Sequence, residues 1–568
     1  MFLAEIAKTP VKMKHDLVIS HWKTVMQSVC DDAVCSKWNY VLAVLGSIAK
    51  SIPVESTCDI LDDLKSRLSQ FSYPPPLIAG IVNCVSKLHC CLDVASSQEQ
   101  MQTWGEKLMA DCDRYISGVV LNNQNENVDE EQLIKYIFTL GEVCQRCPTR
   151  MPKRAALLIQ SIVASPCIGS ISNSGDDGNQ YNDVIRSGHL ERAEASHGSQ
   201  PGSKETSHDS QDGDSQPDSY TSQSHTVISS QPLSQFRGSK MSSKLRAHAF
   251  ITLGKLCLVD ESLAKKAIAA LARELEESDS PAVRNNVVII MGDLTIRYTT
   301  LVDRYVTNIA ACLKDPSPLV RKNTLTILTR LLQEEYVKWK GVLFFRYITT
   351  ILDNAVEIKN LAEFCLEHLL LQKHPSMFFH PFLECIFHFN NYQVHTVYNK
   401  FKQTEREKQK FSLAGRENVR RRLYLYSFML EHMTDEQRFK ITDKINKEIL
   451  SAVADQMIPL DNEGSQILHD ALAILSSKEI KLSTLRSKSV EDIGGEEGAD
   501  MAQIVTVTAK KALISQVIKR NVIENVVPVV ISLKHMLEKS RSPLLKYLMM
   551  YLRELFKDYK NEIKDSVG

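Results

Sequence analysis

Residues 279–294 read DSPAVRNNVVIIMGDL, and the stretch SPLVRKNTLTILTRL that begins at Ser317 returns the same Ser-Pro, Val-Arg and Asn. A third copy lies upstream. LRAHAFITLGKLC from Leu245 aligns with VRNNVVIIMGDLT from Val283 and VRKNTLTILTRLL from Val320, at offsets of 38 and 37 residues. Within the copies, apolar or small residues recur at i, i+4, i+7, i+8 and i+11: Leu245, Ala249, Thr252, Leu253 and Leu256, then Val283, Val287, Ile290, Met291 and Leu294. That spacing is one face of an amphipathic helix. A repeat of this period constrains the fold more than any single motif, because one short unit cannot bury its own apolar face and its copies must stack.

Ser280-Pro281 and Ser317-Pro318 precede two of the repeated helices. Serine suits the N-cap, where its oxygen accepts a backbone N–H, and proline is pre-set for the first helical position. Between the copies run ESLAKKAIAALARELEES and LVDRYVTNIAACLKD, each read as a second helix ending before the next turn. Each unit is therefore a helical hairpin of about 37–40 residues, the size of a HEAT or armadillo-type repeat. The fold expected is an all-α solenoid of stacked hairpins, interrupted by disordered insertions. Arg246, Arg284 and Arg321 open the repeated helices and are expected to bridge to an acid in a turn, such as Asp279 or Asp315, as a ladder between repeats. The register returns at Ser542-Pro543, with Leu545-Lys546 in the Val-Arg place. Helical patterns also fill the first part of the chain, as in WNYVLAVLGSIAKSI and EQLIKYIFTLGEVC, with looser repeats.

The boundaries follow from composition. Residues 1–167 read as helical hairpins, 168–239 as a Ser-, Gln- and Asp-rich insertion too polar to offset its ordering entropy, and 240–486 as the main array. Residues 487–503 read as an acidic, glycine-rich loop and 504–568 as the last hairpins. Six Ser-Gln dipeptides fall in the insertion, at Ser199, Ser210, Ser215, Ser222, Ser230 and Ser234. Such pairs are the minimal target of DNA-damage kinases and also arise by composition alone; phosphopeptide mapping after damage separates the two readings. With 68 basic and 68 acidic residues the net charge favours neither a nucleic acid nor a membrane, so electrostatic binding must come from local clusters. No apolar run is long enough to span a bilayer and the first residues lack a secretory pattern, so the chain reads as soluble and intracellular.

Chemistry is sparse. The chain has no GxxxxGK[ST], GxSxG or HExxH, which argues against an enzyme, and no cofactor or small-molecule substrate is expected. Cys144-x-x-Cys147 lacks a second ligand pair, and the 14 cysteines read as reduced core thiols. His374, His380, Cys385 and His388 lie close in sequence, but their spacing does not place all four on one helix face, and packing is the simpler reading. The clearest functional feature is KFKQTEREKQKFSLAGRENVRRR, residues 400–422. Lys400, Lys402, Arg406, Lys408, Lys410, Arg416, Arg420, Arg421 and Arg422 stand there against three glutamates. Such a cluster attracts a phosphate backbone, and equally describes a solvated helix face with Glu–Lys and Glu–Arg pairs. Phe401 and Phe411 read as core or as base platforms.

The segment RAHAFITLGKLCLVDESLAKKAIAALARELEESDSPAVRNNVVIIMGDL resembles the signature region of the condensin D-type HEAT subunits. AEFCLEHLLLQKHPSMFFHPFLECIFHFNNY and the stretch LISQVIKRN to NEIKD are similar to the condensin II member rather than the condensin I member. The resemblance implies a non-catalytic scaffold, with a kleisin, a second HEAT subunit and a pair of structural-maintenance-of-chromosomes ATPases as partners and DNA or chromatin as a further contact. It implies a nuclear protein found on mitotic chromosomes. The chain is shorter than that family's pattern, lacking the long N-terminal solenoid and the basic tail, as a fragment or truncated product would. The rival reading is another HEAT scaffold, a nuclear-transport receptor or a phosphatase scaffold, which would need no DNA.

Overall fold

The repeated words are helix starts in space as well. The computed structural model describes residues 15–25, 32–92, 94–121, 129–147, 152–164, 242–339, 342–395, 397–401, 404–480, 520 and 522–558, and regular structure among them is helical. The six Ser-Gln serines and the acidic loop lie outside the described residues. The first group of helices is α1 (His15–Val25), α2 (Asp32–Ser47), α3 (Val54–Leu68), α4 (Pro75–His89), α5 (Val94–Leu121), α6 (Glu130–Arg146) and α7 (Lys153–Ala164). The repeat region holds α8 (Ser243–Val259), α9 (Glu261–Glu277), α10 (Pro281–Arg297), α11 (Thr299–Val302), α12 (Val306–Ala311), α13 (Pro318–Gln333) and α14 (Leu343–Ile348). There follow α15 (Val356–Phe364, extended by a π turn), α16 (Phe382–Phe389), α17 (Glu405–Phe411), α18 (Val419–Glu431), α19 (Asp435–Ile445), α20 (Asn462–Leu475), α21 (Val527–Lys539) and α22 (Leu545–Asp558).

In one layer α2, α4, α6, α8, α10 and α13 pack side by side in that order; in the other, α5 packs on α7, α9 on α12 and α12 on α14. All ten apolar-face residues named for the copies at Leu245 and Val283 are buried. At roughly 1.5–3 kcal/mol for each large aliphatic side chain, this face is what holds the stack together. Gly254 and Gly292 occupy the same repeat position, and each takes an isoleucine from the next helix. A Cβ on Gly254 would stand 2.5 Å from Ile290, and one on Gly292 would stand 2.6 Å from Ile327. Glycine is required there by close approach, not by an unusual backbone angle.

The stack runs on across residues 165–241. Glu142 of α6 pairs with Lys255 of α8, Thr252 Oγ1 donates to the Ile137 carbonyl at 3.0 Å, and the Ser242 N–H donates to Glu130 at 3.0 Å. The sequence carries the reason: Thr139-Leu140-Gly141 in α6 matches Thr252-Leu253-Gly254 in α8, so the two sides are successive copies of one unit. The intervening residues concealed that match, since they lengthen the apparent offset.

The arginine ladder forms, and of the two acids named for it Asp315 takes part and Asp279 does not. Arg284 donates to both oxygens of Asp315 (2.7 and 2.9 Å) and to the Ser278 carbonyl (2.7 Å), not to Asp279. Arg321 repeats this with Asp353 (2.8 and 3.0 Å) and the Asp315 carbonyl (2.9 Å). Arg246 uses Glu274 at 2.7 Å instead. Arg284 and Arg321 thus each tie the turn before their own helix to the acid of the next turn, while Arg246 bonds the Val163 carbonyl of α7 and Glu274 of α9. The caps need two corrections. Ser280 does cap α10, accepting from Val283 at 3.4 Å, but Ser317 makes no side-chain cap, and its own N–H donates to Asp315 at 2.8 Å. And α22 opens at Leu545, two residues beyond Pro543. The segment LVDRYVTNIAACLKD is not one helix but α11 and α12 separated and followed by 3₁₀ turns.

Candidate nucleic-acid interface

The basic segment is a short helix, a loop and the first turns of a longer helix, held to the rest of the solenoid through Arg346, Glu276, Gln466 and Asp470. The Thr404 side chain caps α17 at the Glu407 N–H (3.3 Å), and Glu407 returns to the Thr404 N–H (2.8 Å), a reciprocal capping box. The other Glu407 oxygen bonds Arg346, whose buried guanidinium also reaches the Thr307 carbonyl and lies 5.2 Å from the Phe411 ring centre. Burial pulls the Arg346 pKa down, while the Glu407 charge opposes it. On the outside, Arg406 reaches Glu276 of α9 at 3.6 Å. The segment therefore ties to α9 through Arg406 and to α14 through Glu407.

The loop after α17 turns at Gly415, whose φ of +98° falls in the region glycine favours. Its N–H donates to Gln466 at 2.9 Å. Arg422 holds the same loop from inside, donating through Nη1 to the Leu413 carbonyl (2.6 Å) and the Gly415 carbonyl (2.8 Å). Its Nε and Nη2 bond Asp470 of α20 at 2.6 and 3.2 Å. Both side chains are fully buried, at 0% exposure. Asn390 donates to Asp470 at 3.0 Å and Tyr426 lies 3.4 Å from it. Burial alone would raise the Asp470 pKa, but the hydrogen bonds from His469, Arg422 and Asn390 with the Arg422 charge outweigh it and hold the carboxyl below its ordinary value.

This corrects one member of the predicted cluster: Arg422 is a strut, with no surface left to offer a phosphate. Lys400, Arg406, Lys410, Arg416, Arg420 and Arg421 are exposed, Lys408 is half-buried and paired with Glu405 at 2.8 Å, and Lys402 lies outside the described residues. Among the described residues, Lys400, Lys410, Arg416, Arg420 and Arg421 form no ion pair. Phe411 is core, beneath Arg346, whereas Phe401 lines a cleft of about 600 Å³ with Trp339, Phe344 and His380.

The other singled-out groups are packed. His388 is buried, stacks on Phe345 at 4.0 Å and shares a hydrogen bond with Asn399 at 3.1 Å; burial pushes its pKa down to about 4. Cys385 is enclosed, while His374 and His380 line the cleft beside Phe401. Cys144 lies 3.4 Å from the Met109 sulfur, and burial raises both it and Cys147 to about 12, so both thiols stay protonated. Sequence reasoning missed Arg346 and Asp470. Each is a lone charge in an apolar run, LFFRYI and ILHDALAIL, and such a charge must find a buried partner.

Stacked helical hairpins joined by an arginine ladder define a HEAT-repeat solenoid. The model described as non-SMC mitotic condensation complex subunit 1 matches residues 282–472. Two models described as condensin-2 complex subunit D3-like HEAT repeats match residues 130–200 and 203–275, and residues 478–567. The chain is 44% identical over 569 residues to the condensin-2 complex subunit D3-L of Xenopus laevis, covering 100% of this chain and 35% of that one. It is 43% identical to subunit D3 of Mus musculus over 100% of this chain and 34% of that one. Against subunit CAP-D3 of Arabidopsis thaliana it is 31% identical over 94% of this chain and 38% of that one. The chain belongs to the condensin D-type HEAT-repeat family, in its condensin-2 subunit D3 branch. It spans about a third of the length of these relatives.

Proposed function

We propose that this chain is a non-catalytic scaffold region of a condensin II complex, engaging a kleisin segment and duplex DNA during mitotic chromosome condensation in the nucleus. A second HEAT subunit and the ATPase pair complete the assembly, and ATP hydrolysis belongs to that pair. Family membership supports the complex. The observation that supports DNA contact is the run of exposed cations at Lys410, Arg416, Arg420 and Arg421, which form no ion pair among the described residues, on a segment pinned from beneath. Cations so fixed meet a phosphate backbone with little ordering cost, and binding releases condensed counterions.

The test is charge reversal at Arg416, Arg420 and Arg421 with Arg422 left intact. Duplex affinity should fall alike for unrelated sequences, and the slope of log affinity against log salt should shrink by about 0.9 for each phosphate that is no longer neutralised. Unchanged affinity and slope would remove this segment as the main DNA-binding surface. Affinity purification from mitotic extract tests the assembly: recovery of the kleisin and ATPases supports it, and recovery of transport or phosphatase partners instead overturns it.

A further inference from the structure

The positive surface does not stop at the basic segment. α18, which carries Arg420 and Arg421, packs on the 3₁₀ turn Thr349–Leu352. The Thr349 carbonyl in that turn accepts from Lys314 Nζ at 3.3 Å. Lys314 ends the 3₁₀ turn Cys312–Lys314 of the preceding repeat, one residue before the ladder acid Asp315. It is half-buried, and among the described residues it has no carboxylate in ion-pair range. The acid whose charge acts on it is Asp353, whose oxygens are already taken by Arg321 at 2.8 and 3.0 Å and by the Ala355 N–H at 2.8 Å; the adjacent Asp315 is held by Arg284.

The charges acting on Lys314 are Asp353 at the end of its neighbouring turn, Arg421 from α18 and Arg321 from α13. Arg321 already holds Asp353, and among the described residues neither Lys314 nor Arg421 has a carboxylate in ion-pair range. A phosphodiester is the anion that fits: it brings the missing negative charge and oxygen acceptors, and needs no pocket of its own.

We propose that Lys314 is a phosphate ligand that carries the DNA interface from the 405–421 segment onto the preceding repeat, and that binding there is coupled to proton uptake. The inference rests on the DNA reading above. Burial first, and then the Arg421 and Arg321 charges, pull the Lys314 pKa down to about 8 against the opposing pull of Asp353. A bound phosphate raises it again. The sign follows: the interaction is fully present below pH 8, where the ammonium already exists in the free chain, and disappears as pH rises through the pKa of the bound state.

The experiment measures binding of a mixed-sequence duplex to the full 568-residue chain by fluorescence anisotropy between pH 7 and pH 9.5. Lys314→Gln, Lys314→Arg and the Arg416/Arg420/Arg421 reversal are compared with the parent, with circular dichroism melts to establish folding. Lys314→Gln should bind about eightfold more weakly at roughly 0.1 M salt, the counterion-release contribution of one phosphate relative to 1 M. The parent should weaken as pH passes 8, whereas Lys314→Arg, charged throughout, should bind tightly across the range. If Lys314→Gln binds and titrates like the parent while the triple reversal weakens binding, Lys314 does not touch the duplex and the DNA reading stands. If the triple reversal changes nothing, the DNA reading itself fails.

Discussion

Arg284 and Arg422 both sit in the first turns of a helix, and both grip an aspartate through two nitrogens. Their surroundings differ. Arg284 keeps 11% of its side chain exposed and Asp315 keeps 5%, at a turn that recurs from repeat to repeat. Arg422 and Asp470 keep none, and around them Asn390, Tyr426 and two loop carbonyls complete a network that occurs once among the described residues. The recurring pair spaces identical units. The single pair fixes a loop whose outer face carries Arg416, Arg420 and Arg421, so one arginine of the cluster serves to present the others.

The comparison predicts unequal costs. Arg422→Ala strands the Asp470 carboxylate without its counter-charge, which typically costs about 3–5 kcal/mol, read as a lower urea midpoint. Arg422→Lys should recover little, since an ammonium cannot bond both Asp470 oxygens and both loop carbonyls. If Arg422→Ala proved no less stable than Arg420→Ala, the distinction between strut and surface would collapse. Arg284→Ala removes charged hydrogen bonds that water partly replaces, at about 1.5–3 kcal/mol. Because an array opens piecewise, the sharper readout is hydrogen exchange: protection should fall in α10 and α13 and hold in α20. A decrease spread evenly over the chain would mean the ladder is not local. The smallest effect is expected from Gly292→Ala, at about 1 kcal/mol, since the new methyl presses on Ile327; adding Ile327→Val should recover part of it. A gain in stability on Gly292→Ala would show that helix propensity outweighs close packing there.

The same contrast explains what could be read in advance. Apolar spacing, the Ser-Pro starts and the ladder arginines were legible because repetition supplies internal controls: a residue returning at 37 or 38 has the same surroundings each time. The link between α6 and α8 was in the sequence too, as Thr-Leu-Gly twice, but at an offset lengthened by the residues between. Arg422 was misread because a charge run was treated as one surface. Helical phase could have separated it, since Leu425, Tyr426 and Met429 lie three, four and seven residues on and are all buried. Lys314 carried no such signal. Its surroundings come from a turn and a helix far along the chain, and only the fold brings them to it.

The ladder also has a mechanical consequence. Arg284 and Arg321 fasten adjacent hairpins at one edge with directional bonds between fixed atoms, and the same interfaces carry further directional bonds along their length: Asn286 donates to the Ala247 carbonyl at 3.0 Å, Asn323 to Asn285 at 2.6 Å, and Tyr298 to the Leu258 carbonyl at 3.1 Å. Apolar contact alone would let neighbouring helices slide in register, whereas bonds at both ends of the interface resist that sliding and fix the stagger of one unit on the next.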